Sequence, residues 1–119
     1  MAKISVIKKW IKALRSGKYK QGRRSLFNKD DNAYCCLGVL CDVYKKETKK
    51  TVRINGKWFL PLKVQKWSGL DSKNPILYHN QAEGHWCIAS ELNDDFQLSF
   101  KKIANAIEKT FLKNKKYES

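Results

Sequence analysis

The sequence predicts an α+β fold: a small antiparallel sheet built on a hairpin at 52–60, packed with an N-terminal helix, a central helix and a C-terminal helix. Three observations predict it. Near both ends of the chain, apolar residues recur at three- and four-residue spacing, the period of a helix with one buried face. At Asn55-Gly56 an Asn-Gly pair sits between β-forming residues, the sequence signature of a tight hairpin. And 119 residues, 42% of them apolar, suffice for one domain with its own core, held by neither metal nor disulfide.

The first helix covers residues 3–16. Ile4, Ile7, Ile11 and Leu14 form its stripe, Val6 and Trp10 widen it, and Lys8, Lys12 and Arg15 lie on the opposite side. Gly17 is placed to end it, because the residue just past a helix often needs positive φ. Ser16 to Gly22 then reads as a loop, with Tyr19 and Gln21 between its two glycines. Arg24 to Asn28 has the length of a short strand, and Asp30-Asp31-Asn32 has turn chemistry. From Tyr34 to Tyr44 the chain is almost wholly apolar. Its start suits a strand, while Cys36, Val39, Leu40, Val43 and Tyr44 fit a buried helix over 36–46. Lys45, Lys46, Lys49 and Lys50 follow, where cations suit a helix C-terminus.

Val52 to Leu60 is the hairpin, with Asn55-Gly56 as a type I′ turn. Pro61 opens a short helix through Trp67, and Gly69 closes it. Residues 70–85 are loop-rich, and Trp86 to Leu92 reads as helix. Ser99 caps a last helix over 100–113, with Phe100, Ile103, Ala104, Ile107 and Phe111 on one face. The polar tail, 113–119, is expected to fray, and residues 1–119 form a single domain.

Charge narrows the partners. Lys and Arg total 25 against 11 Asp and Glu, a net charge of +14. Such a surface attracts nucleic acid, nucleotides, acidic proteins or anionic lipid. All but four of the cations are lysine, however, and arginine is the better fork for phosphate and base edges. The opening segment has Lys8, Lys9 and Lys12 inside its apolar stretch, unlike a secretory leader, and no run has the length of a membrane span. Cys35, Cys36, Cys41 and Cys87 are therefore expected as reduced thiols in a cytoplasm.

Several motifs carry a family resemblance. Trp10-Ile11-Lys12-Ala13-Leu14-Arg15-Ser16-Gly17-Lys18-Tyr19-Lys20-Gln21-Gly22 is the first, and Tyr34-Cys35-Cys36-Leu37-Gly38-Val39-Leu40-Cys41-Asp42 the second. Leu60-Pro61 with Trp67-Ser68-Gly69-Leu70 follows, then Leu92-Asn93-Asp94, Ser99-Phe100, Ile103-Ala104 and Ile107-Glu108. In order and spacing they resemble a family of small proteins encoded mainly by tailed phages and prophages. The resemblance spans nearly the whole chain. It implies a phage accessory protein in the host cell cytoplasm, and it implies no reaction. This sequence is more basic than its apparent relatives, and Asp95-Phe96-Gln97 stands where they tend to have glycine after Leu-Asn-Asp.

Four chemistries each have a simpler account beside them. Cys36, Cys41, His85 and Cys87 offer zinc ligands, but no Cys-x-x-Cys knuckle is present and buried thiols behave as small hydrophobes. His79 and His85 offer a partner for a nucleophilic thiol, but no local context marks a nucleophile. Glu91, Asp94 and Asp95 offer acid–base carboxylates, although a solvated turn explains them as well. Residues 99–107 echo the opening of a helix-turn-helix, yet the apolar period runs on through Phe111, as one core helix requires.

The Ser16–Gly22 loop is the best candidate site. Its glycines let backbone N–H groups approach a ligand, Tyr19 offers a stacking face and Gln21 an amide. Arg15, Arg23 and Arg24 cluster beside it as anion ligands. Asn93 and Asp94, ahead of the last helix, are placed to complete the site together with Ser16. The function expected is a non-catalytic, counter-defence protein that binds an anionic small molecule of the cyclic nucleotide or ADP-ribose type. It needs neither metal nor cofactor and has no membrane partner; homo-oligomerisation stays open. The alternatives are a basic nucleic-acid-binding or nuclease-blocking protein, and a protein–protein inhibitor using Trp58 and Tyr78.

Overall fold

The computed structural model describes residues 2–78 and 86–113. Helix α1, Ile4–Arg15, buries Val6, Ile7, Trp10, Ile11 and Leu14. Trp10 can be wholly buried because its indole N–H donates to the Cys36 carbonyl at 2.9 Å. Gly17 follows with φ of 76°, the left-handed geometry the sequence anticipates.

Three two-residue strands come next: β1 (Lys20–Gln21), β2 (Phe27–Asn28) and β3 (Ala33–Tyr34). The sheet order is β1-β3-β2, with β1 parallel and β2 antiparallel to β3. Helix α2, Cys36–Thr48, leaves β3 directly and buries Cys36 to Cys41 almost without interruption. Gly38 lets it do so. A Cβ there would lie 1.7 Å from the Leu26 carbonyl oxygen, so α2 rests on the backbone just ahead of β2. Lys49, at φ 65°, ends the helix.

The hairpin expected at 52–60 is not formed. Ile54 to Lys57 is a turn, closed by the Lys57 N–H on the Ile54 carbonyl at 3.1 Å. Of the Asn-Gly pair only Gly56 has positive φ (73°), whereas a type I′ turn requires it at both central residues. The flanking chain does not pair with itself. Leu26 N–H bonds the Lys57 carbonyl at 2.6 Å and Gly56 N–H the Phe27 carbonyl at 3.0 Å, so the turn docks on β2 instead. The local signal marked the turn; the long-range partner decided the pairing.

Helix α3, Leu62–Ser68, is bracketed by Pro61 and by Gly69 at φ 78°. Strands β4 (Ile76–Tyr78) and β5 (Trp86–Ile88) form a second, antiparallel sheet. Residues 86–88 were expected to be helical; Tyr78 and Trp86 instead face each other across the pair with rings 5.2 Å apart. Only from Ala89 does the chain turn into α4, Ala89–Asp94. Helix α5, Phe100–Glu108, is capped by the Ser99 hydroxyl, which accepts from the Lys102 N–H. It runs on as a π-helical turn over Lys109–Lys113. Ile103 and Ile107 are fully buried, and one continuous element stands where a reading helix would need a turn. Of the expected frayed tail, 113–119, all but Lys113 lies outside the described residues. One core unites α1, α2, α4 and α5, with Leu26, Leu60, Val64 and Leu77 beneath the loops and sheets. Among the described residues no helix is long and apolar enough to cross a membrane.

Candidate functional site

The residues singled out in the sequence fall into three places. The first centres on Asn93, fully buried on α4. Its side-chain oxygen accepts from the Gln21 amide at 2.9 Å and the Cys36 N–H at 3.3 Å. Its nitrogen donates to the Gly22 carbonyl and to Asp94 Oδ1, both at 2.8 Å. A carboxamide has two donors and two acceptor positions, so Asn93 is saturated. Gln21 also donates to the Leu98 carbonyl at 2.8 Å. Asp94 Oδ1 accepts the Arg24 N–H at 3.0 Å and so fastens a backbone with φ of 66°. Gln21, Arg24, Asn93 and Asp94 do come together, as an internal clamp tying β1 to α4 and the start of α2.

The second place is Tyr19. Its hydroxyl donates to Asp42 and accepts from Lys46 Nζ at 3.2 Å, while Lys46 also pairs with Asp42 at 3.3 Å. The ring stands edge-on to Tyr34, centroids 5.1 Å apart. Burial pushes the Tyr19 hydroxyl above the usual tyrosine value and the hydrogen bond to Asp42 adds to it, so the phenol stays protonated at neutral pH. Its polar end is engaged within the protein. Arg23 is exposed beside the clamp.

The third place is a groove of about 550 Å³ lined by Lys8, Ile11, Lys12, Arg15, Ser16, Glu108 and Leu112. It contains Arg15 and Ser16 but not the rest of the expected set. Arg15 Nη2 donates to Asn105 and to Glu108, both at 2.8 Å, and so pins the end of α1 to α5. Ser16 Oγ donates to the Ala13 carbonyl at 2.6 Å and accepts the Lys18 N–H at 3.2 Å, finishing the helix. Lys8 and Lys12 differ from the other polar groups. They stand one turn apart, about 6 Å along the axis, and neither has an ion-pair partner among the described residues. Ile11 and Leu112 line the groove with them, so it combines apolar side chains with cations. The helical period had put Lys8 and Lys12 on one face; which element that face met depends on α5 packing, invisible locally.

Thiolate chemistry is opposed throughout. Burial pushes Cys35 up to about 11 and raises Cys36 and Cys41 further. Cys87, half-buried, is raised by burial and by the nearby Glu91. Among the described residues no group of three or more His, Cys, Asp or Glu is arranged to hold a metal ion. His79 and His85 lie outside them.

A family model described as a domain of unknown function (DUF8296) matches residues 2–111. No curated protein and no solved structure matches the chain.

Proposed function

We propose a binding function for this chain, which belongs to the DUF8296 family of domains of unknown function: it is a non-catalytic phage accessory protein that captures an anionic nucleotide-type ligand. In its specific form the ligand is a host defence signal of the cyclic nucleotide or ADP-ribose type, sequestered in the host cytoplasm. The groove between α1 and the C-terminal helix carries the reading. Its volume, about 550 Å³, falls in the range of small-molecule sites. It joins two lysines with no ion-pair partner among the described residues to the apolar side chains of Ile11 and Leu112. Phosphates suit the lysines, as point charges with rotatable donors. A base or ribose suits the apolar side chains. Arg15, held by Asn105 and Glu108, fixes one wall. Asn93, Gln21 and Tyr19 act behind the site by fixing the chain beyond Ser16.

Thermal melting against a panel of cyclic nucleotides and ADP-ribose derivatives tests the reading. A ligand at about a hundred times its dissociation constant adds roughly 2.7 kcal/mol. Lys8→Ala with Lys12→Ala abolishes the gain and leaves the ligand-free melting point unchanged, since both side chains are exposed. If no nucleotide shifts the curve while long duplex DNA binds with a steep salt dependence, the protein is a polyanion binder instead.

A further inference from the structure

A second surface stands apart from the groove. From Lys49 to Leu70 the chain has six cations and no carboxylate: Lys49, Lys50, Arg53, Lys57, Lys63 and Lys66, every one exposed. In the same stretch three large apolar side chains face water: Trp58 at 56% exposure, Phe59 at 41% and Leu62 at 61%. Clustered apolar exposure rimmed by charge marks an interaction surface. The shape is informative. Residues 55–59 are exposed one after another. Gly56 and Lys57 fasten the backbone of this run to β2, and its side chains are turned to water. Its base is held by the Lys57 carbonyl on Leu26 N–H at 2.6 Å and by Leu60 N–H on the Lys73 carbonyl at 3.0 Å. Beyond it, α3 buries Val64 and Ser68 and turns Leu62, Lys63 and Lys66 outward. Lys73 adds a further cation, its ammonium 4.7 Å from the centre of the Phe59 ring.

Against the sequence-based expectation of no membrane partner, we propose that this corner docks the protein on an anionic lipid bilayer. Trp58, Phe59 and Leu62 enter the headgroup boundary, where the amphipathic indole is favoured, and the lysines reach the anionic headgroups on flexible stems. Six cations in this stretch, against Asp30 and Asp31 beside Asn55, leave a net positive corner that selects anionic over zwitterionic lipid. Exposed apolar side chains of this size need matching cavities on a protein partner, whereas a bilayer yields around them. Stacked bases need a platform of open ring faces; Leu62 has no ring and Lys73 covers a face of Phe59, which leaves Trp58 as a single platform. The attachment is peripheral, since no described helix spans a membrane.

The test is co-sedimentation of the full chain with vesicles of phosphatidylcholine, with and without phosphatidylserine, at physiological salt. Binding is expected only with phosphatidylserine. Brominated lipid is expected to quench tryptophan fluorescence, and Trp58→Phe to remove most of that quenching. Trp58→Ala with Leu62→Ala is expected to weaken partitioning at least about tenfold without lowering the melting temperature. Lys63→Glu with Lys66→Glu is expected to weaken it by a similar factor, and Lys101→Glu with Lys102→Glu on α5 to do much less. Three results overturn the proposal: no sedimentation with phosphatidylserine, unchanged binding after the Trp58 and Leu62 replacements, or equal losses from both charge reversals, which would mean attraction by net charge alone. Capture of nucleic acid or an acidic protein without vesicle binding overturns it as well.

Discussion

At Asn93 one buried amide makes four hydrogen bonds, so alanine there leaves the Gln21 amide, the Gly22 carbonyl and the Cys36 N–H short of a partner together. Unsatisfied buried groups are costly, and Asn93→Ala is expected to lower unfolding free energy by about 3 kcal/mol in a urea titration. Ligand affinity of the folded fraction should stay unchanged; lost affinity at unchanged stability would make Asn93 a reading residue after all. Tyr19 gives a pH signature. Burial, reinforced by Asp42, raises its pKa above the ordinary 10.0, so the neutral phenol is favoured by folding. Its contribution is complete below that value and is lost as pH rises through the raised one. Tyr34 has the same sign. Stability is therefore expected to fall above pH about 10, and less steeply in Tyr19→Phe. The sequence singled out Gln21, Tyr19, Asn93 and Asp94 by chemical type alone. Gln21 and Asn93 are 72 residues apart in the chain, and no local pattern says whether such groups face a ligand or each other.

The helices were legible because their signals are local. α1 carries its stripe, α3 its bracketing Pro61 and Gly69, and α5 its Ser99 cap and buried Ile103 and Ile107. Ser99→Ala is expected to cost about 1 kcal/mol through the lost cap bond. Ile107→Asp buries an unpaired carboxylate and is expected to abolish the cooperative melt. A folded Ile107→Asp protein that had merely lost DNA binding would instead favour the helix-turn-helix. The strands were less legible because two- and three-residue strands are defined by their partners. Val52 to Leu60 has the composition of a hairpin, yet β2 takes its hydrogen bonds. Trp86 to Ile88 has an apolar run that suits helix or strand, and Ile76 to Tyr78 decides for strand. Gly38 shows the same dependence on a distant element. Its replacement by alanine meets the Leu26 carbonyl at 1.7 Å, and a loss of about 3 kcal/mol is expected from the forced separation of α2 and β2.

For the whole molecule, composition announced a basic protein and residue spacing a mixture of helix and strand, and both hold. Composition could not say how the charge is distributed. Packing α1 against α5 turns the Lys8–Lys12–Arg15 face into a groove, while the turn docked on β2 and the chain after it carry a second cationic surface around Trp58. The two surfaces make separable predictions, because small-ligand capture has a shallow salt dependence and surface association a steep one. Capture in the groove is read out by methyl NMR titration of the folded chain with a cyclic nucleotide or ADP-ribose. Saturable shifts at Ile11 and Leu112, lost in the Lys8→Ala, Lys12→Ala variant and accompanied by none at Leu77 or Leu26, are the result expected. No shift at Ile11 and Leu112 with either ligand would contradict it.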